Sequence, residues 1–241
     1  MTLLAIAIAP GLAIMWYIYA KDKYDREPKR HIIISFFLGM LATIPAIIVQ
    51  ASVATLFGDF RNSTSIAYYA FYAFAVVAAS EELSKYLMLR VYAYRQKEFN
   101  EPFDGIVYAV MVAMGFATLE NIGYVYQYGM GTGITRMFLS VPAHASFGVL
   151  MGYYVGLAKF NSGGSAALTF KGLFMAILFH GAFDFFLFLQ GNAKVTAYIS
   201  EGLLFLGALV SYFIAIRLSL RSIKLHQQLS KTNFENNHNN I

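Results

Sequence analysis

Seven apolar stretches punctuate the chain, at residues 3–20, 32–57, 66–89, 103–128, 137–160, 172–189 and 195–218. Each is near or above the ~18–20 residues that cross bilayer hydrocarbon as a helix. Composition agrees, with 58% hydrophobic and 13% charged residues and a mean hydropathy of +0.55, against about 25% charged residues in soluble domains. The expected fold is therefore all-α, a polytopic membrane helical bundle of seven transmembrane helices. No stretch is left over for a soluble domain. A single membrane-embedded domain over residues 1–221 is expected, followed at 222–241 by a short interfacial helix fraying into a disordered, Asn-rich cytoplasmic tail.

Basic residues orient the bundle. Loops assigned inside, with the C-terminal tail, hold fourteen Lys and Arg residues, five of them between Lys21 and Arg30, whereas loops assigned outside hold only Arg61, Arg136 and Lys194. This positive-inside bias places the N-terminus outside and the C-terminus in the cytoplasm. The first apolar run is followed, not preceded, by positive charge, so it reads as a retained span rather than a secretory signal. The net charge of +5 is explained by loops facing anionic lipid and gives no reason to invoke nucleic acid. Cysteine is absent, which removes disulfides, thiolate nucleophiles and cysteine metal sites together.

Tyrosines at 68, 69 and 72, at 92 and 94, and at 124, 126 and 128 suit interfacial belts. Gly148, Gly152 and Gly156 form a doubled GxxxG that admits a close helix neighbour. His144 shares roughly that stripe, so it should face protein rather than lipid. Gly129, Gly131 and Gly133 read as a flexible connection.

The chemistry lies in the ionisable residues inside the spans: Glu81, Glu82 and Lys85 in the third, Glu120 in the fourth, His144 in the fifth, and His180 and Asp184 in the sixth. A charge at the centre of a membrane helix costs ~2.5–3.5 kcal/mol even on the mild insertion scale. Any one of these groups has a bland reading: Glu–Lys can be a neutralised packing contact, His180 can bond a carbonyl, and Gln50 and Asn121 are interhelical hydrogen-bond donors. Four consecutive spans contributing polar groups at similar depth point instead to one chamber. Glu81 and Glu82 stand four and three residues before Lys85, within reach of either, so Lys85 can neutralise one carboxylate and leave the other as acid or base. His180 and Asp184 are i and i+4, a spacing that lets the carboxylate hold a ring N–H. HExxH and Gly-x-Gly-Asp sites are missing, and no Gly-x-Ser with a plausible partner histidine lies inside a span; what remains is carboxylate and histidine activating water, with or without a metal.

The EELSK stretch (81–85), the segment from Glu101 to Tyr124, PAHASFGVLMGYYVG (142–156) and FHGAFDF (179–185) resemble, in order, the PrsW family of bacterial intramembrane proteases. More distantly they are similar to the type II CAAX-processing superfamily, whose EExxxR, FxxxH and HxxxN motifs correspond to Glu81 and Glu82 with Lys85, Phe116 with Glu120, and His180 with Asp184. Lys85 is one position nearer than that arginine, and Glu120 replaces a histidine that His144 can supply. The resemblance implies peptide hydrolysis in a bacterial cell membrane, with a single-pass anti-sigma-factor-like substrate cut near its extracytoplasmic side. It also implies a catalytic set of Glu81, Glu82, Glu120, His144, His180 and Asp184 supported by Lys85. If a metal such as zinc is present, His144, His180 and Glu120 are its expected ligands. By superfamily analogy Glu81 is the favoured base. The competing reading is a proton-coupled transporter using the same groups; neither an internal repeat nor paired broken helices support it.

Overall fold

The computed structural model describes residues 2–161 and 163–239, with side chains as far as residue 236. Among these residues every regular element is helical. The order is α1 (Thr2–Lys21), α2 (Lys29–Leu41), α3 (Thr43–Phe57), α4 (Ile66–Phe71), a π-helical segment (Tyr72–Ala78), α5 (Ala79–Val91), α6 (Pro102–Tyr128), α7 (Met130–Phe138), α8 (Ser140–Phe160), α9 (Ser165–Leu189), α10 (Ala193–Thr196) and α11 (Glu201–Asn239).

Among the described residues five helical stretches are long and apolar enough to cross a membrane: α1, the α2–α3 stretch, α6, α9 and α11. The helical stretch 66–91 and α8 are not among the five. They carry Glu81, Glu82, Lys85 and His144, and such groups lower the hydropathy of the helices that hold them. The run at 32–57 is two helices meeting at Ala42. Pro45 lacks an N–H for the Leu41 carbonyl, and its ring crowds that carbonyl, so the break falls one turn before it.

Helix α6 is the axis of packing. It is 89% buried over its apolar window, against 17% for α1 and 33% for the other three stretches. Helices α1, α2, α8 and α11 all lie against it. Small residues let the backbones meet: a Cβ on Gly152 would collide with the carbonyl of Gly105, and one on Gly156 with that of Pro102. The doubled GxxxG is thus the α6–α8 seam, and it leaves His144 facing the bundle at 4% exposure.

At the end of the bundle where α6 begins, Glu101 and Asp104 form a capping box around Pro102, with the backbone N–H groups of Asn100 and Glu101 each donating to Asp104 Oδ2 at 2.8 Å. The C-terminal half of α11 packs here. Gln227 donates to the Lys21 carbonyl at 2.6 Å, Ser230 to Glu101 at 2.7 Å, and buried His226 stacks on Tyr153 at 4.3 Å. Residues 222–236 therefore continue a membrane helix instead of fraying, because their polar side chains have partners on the α1–α2 and α5–α6 connections. The end of the Asn-rich run, Asn240 with Ile241 after it, lies outside the described residues.

Two further expectations change. Gly129 ends α6 with φ +83°, but Gly131 and Gly133 lie within α7, where Gly133 fits against Val125 and Ile6. Tyr69 is fully buried against Phe60 rather than interfacial.

Replacing Gly152 by Leu should force α6 and α8 apart and cost about 1–3 kcal/mol, read as a lowered Tm in detergent. Gly123→Ala, on an open face of α6, should leave Tm unchanged or raised. In the α1–α2 connection, burial pushes both Asp22 and Glu27 up to about 7. They hold protons more tightly folded than unfolded, so the stability they contribute is full below about pH 4 and is lost as pH rises through about 7. Tm should fall from about pH 5 to 8, and Asp22→Asn should flatten that fall.

Candidate active site

The stretch that carries Glu81 and Glu82 is helical from Ile66 to Val91, with a π-helical segment, Tyr72–Ala78, immediately before α5. Such wide turns shift the phase of all that follows and gather at functional sites. Here the turn is followed by five buried polar residues, Ser80, Glu81, Glu82, Ser84 and Lys85. The serines return their hydroxyls to the helix, Ser80 to the Val77 carbonyl and Ser84 to that of Ser80. Ser146 does the same with Pro142. None of the three is presented as a nucleophile.

Lys85 distinguishes the two glutamates. Its Nζ donates to Glu82 Oε1 at 2.7 Å and stands 3.5 Å from Glu81 Oε2. It is also 3.1 Å from His144 Nδ1 and 4.1 Å above the Phe116 ring. Glu82 Oε1 meets His180 Nδ1 as well, at 2.8 Å. Glu82 is thus enclosed by a cation and an imidazole at 0% exposure, whereas Glu81 has one hydrogen bond, from Gln50 Nε2 to Oε1 at 3.3 Å, and the longer ion pair with Lys85. Its Oε2 is buried without a hydrogen-bond partner and lies 3.9 Å from His180 Nε2.

The histidines from α8 and α9 meet edge to face, their ring centres 5.2 Å apart, and Phe147 stacks on His180 at 4.9 Å. Each imidazole has a carboxylate behind it. Glu82 takes Nδ1 of His180, and Glu120 Oε2 takes Nε2 of His144 at 3.0 Å. Asp184 Oδ2 lies 3.3 Å from His180 Nε2, a longer approach than that of Glu82. The i,i+4 spacing identified Asp184 from one helix alone; the closer partner comes from another helix, which no spacing rule reveals.

All of the expected site residues are brought together. A cavity of about 550 Å³ is lined by Glu81, Glu120, His144, His180 and Asp184, and it extends past Asp59 and Arg61 toward the α7 end of the bundle. One residue was missed: Arg136 of α7, which donates to Glu120 at 2.8 Å and to Asn121 at 3.0 Å. Its charge told only of topology, and nothing in sequence spacing links it to a residue sixteen positions earlier.

Glu81, His144 and His180 offer ligand atoms that all lie within 4.8 Å of one another. Glu120, expected among the ligands, stands behind His144 instead. Two imidazoles and a carboxylate are the donor set of open, catalytic zinc sites, and the carboxylates behind both rings complete the usual outer support. The unpaired Glu81 Oε2 is the atom such an ion would satisfy. These residues fit a metal.

No solved structure matches the chain. Curated relatives do. The chain is 36% identical to Protease PrsW of Geobacillus kaustophilus over 186 residues, covering 77% of this chain and 80% of the relative. It is 36% identical to Protease PrsW of Bacillus subtilis over 192 residues, 79% and 84% of the two chains. With Protease PrsW of Halalkalibacterium halodurans the identity is 30% over 231 residues, 95% and 99% of the two. The family model described as PrsW family intramembrane metalloprotease matches residues 27–229, so the buried carboxylates and histidines lie within the matched region, and the chain belongs to the PrsW family of intramembrane metalloproteases.

Proposed function

We propose that this intramembrane protease hydrolyses a peptide bond of a single-pass membrane protein of the anti-sigma-factor type, with Glu81 as the general base. The observation that carries the assignment is that Glu81, and not Glu82, lines the cavity beside His180, with its Oε2 engaged in no hydrogen bond. A water placed between Glu81 Oε2 and the two imidazoles loses a proton to Glu81 as its oxygen attacks the peptide carbonyl carbon. The resulting oxyanion is stabilised by Lys85, whose ammonium lies at the base of the site beside His144. The proton passes from Glu81 to the leaving nitrogen as the C–N bond breaks. Glu82 keeps Lys85 and His180 in place, and Asp184 holds the far side of His180.

Glu81, His144 and His180 would also hold a divalent metal, zinc by the donor set. When bound, it supplies Lewis-acid polarisation of the carbonyl and a more acidic water. Glu81 then serves as a ligand rather than as a base. Lys85 would release His144 Nδ1 and keep Glu82.

The topology that supports the substrate reading has seven crossings with the N-terminus outside, as the distribution of Lys and Arg indicates. The α7 end is then extracytoplasmic, and the cavity faces the side on which a membrane-anchored substrate presents its juxtamembrane segment. Membership of a protease family stands against the transporter reading.

Cleavage of a membrane-anchored single-pass substrate in proteoliposomes should fall at least about 100-fold in Glu81→Gln and in His180→Ala. Full activity in both folded variants sinks the mechanism. Elemental analysis before and after chelation separates the two roles of Glu81. If Glu81 is the base of a metal-free site, the wild-type protein holds no stoichiometric zinc and keeps its activity after chelation; if Glu81 is a ligand, the wild-type protein holds one equivalent, and Glu81→Gln loses metal and activity together.

A further inference from the structure

Helix α7 lies across the α7 end of α6, and its one basic residue turns inward. Arg136 is only 13% exposed in its side chain. Three groups on consecutive turns of α6 fix its guanidinium: Nη2 donates to Glu120 Oε2 at 2.8 Å, Nε donates to Asn121 Oδ1 at 3.0 Å, and the plane lies 4.0 Å from the centre of the Tyr124 ring. Asn121 is itself anchored, its Nδ2 donating to the Ala7 carbonyl at 3.0 Å. A planar fork stacked on an aromatic face is a geometry that arginine supplies and lysine does not.

The oxygen that Arg136 holds is the one that faces the active site. Glu120 Oε2 receives both Arg136 Nη2 and His144 Nε2, the latter at 3.0 Å. Because Glu120 is a carboxylate held by a cation, it accepts from His144, so the His144 proton resides on Nε2. The lone pair is then on Nδ1, the nitrogen that faces Lys85 and the interior of the site. Lys85, which can only donate, asks for the same tautomer from the Nδ1 side; without Arg136 the Glu120 side chain, 23% exposed on the cavity wall, is free to turn toward the cavity and leave Nε2 and the ring's orientation unheld.

We propose that Arg136 is a positioning residue of the protease: through Glu120 it holds Nε2 of His144 and so sets the orientation of that ring, so that the amphipathic helix α7 is a built part of the active site and not a surface connection. This rests on the assignment of His144 to the reaction.

The test is a double-variant cycle read as kcat and KM in proteoliposomes, together with cobalt(II) binding followed by its visible absorption. Arg136→Gln should lower kcat 10–100-fold with KM unchanged, and weaken cobalt(II) binding by a similar factor. Arg136→Gln combined with Glu120→Gln should be no worse than Glu120→Gln alone, because both act through one hydrogen bond. Arg136→Lys keeps the charge but not the fork and should recover only part of kcat; it also carries the cycle if Arg136→Gln does not fold. Additive losses in the double variant, or a rise in KM at constant kcat, would mark Arg136 as an independent substrate contact and overturn the inference. Loss of cleavage in Glu81→Gln and His180→Ala alongside a fully active Arg136→Gln overturns this inference alone. Retained cleavage in those two variants overturns the catalytic reading and this inference with it. Unaltered cobalt(II) affinity in Arg136→Gln likewise counts against it, and where the wild-type protein binds no cobalt(II) the kinetic cycle decides.

Discussion

The ammonium group of Lys85 is the interaction on which the interior of the bundle depends. It faces Glu82 at 2.7 Å, Glu81 at 3.5 Å and His144 at 3.1 Å from a position only 2% exposed. Two adjacent carboxylates cannot both be carried into a membrane interior unpaired, since removing each ion from water costs several kcal/mol. One cation shared unequally between them resolves this. The nearer carboxylate is neutralised and becomes scaffold; the farther one, held more loosely, lines the cavity. The asymmetry between Glu81 and Glu82 therefore arises from distance to a single charge.

Around that pair the site repeats one device. An imidazole projects into the chamber from each of α8 and α9, and a carboxylate from another helix holds the ring from behind, Glu82 for His180 and Glu120 for His144. This arrangement needs four helices at fixed separations. Glycine at the α6–α8 seam provides one of those separations, because at Gly105, Gly152 and Gly156 no side chain keeps the backbones apart. The same closeness brings Glu120 and His144 into contact. Packing and chemistry are here one constraint.

Much of the fold was legible in the sequence for a simple reason. Apolar runs of membrane length, broken by basic loops, have few ways to fold, and the helical assignments and the burial of His144 follow from periodicity alone. The members of the site were legible for a related reason: ionisable residues in apolar runs stand out against their surroundings. What misled was composition read without partners. Residues 222–236 are polar and so suggested fraying, yet Gln227 and Ser230 find acceptors on distant connections. Tyr69 suggested an interface, yet it is buried. Arg136 was counted as a loop charge, although it reaches into the site.

The amino-acid sequence alone established a helical membrane protein with carboxylates and histidines gathered on consecutive apolar runs, and its motifs carried the resemblance to an intramembrane protease family. Both are local properties: hydropathy is summed along the chain, and motifs are read in order. Only the tertiary structure decided that Glu82 is the carboxylate bound to Lys85 and His180, that Glu120 backs His144 instead of joining Glu81 and the two histidines, and that α7 contributes Arg136. Those roles depend on distances between helices, and α-helical spacing constrains contacts along one helix while leaving the approach of its neighbours to packing.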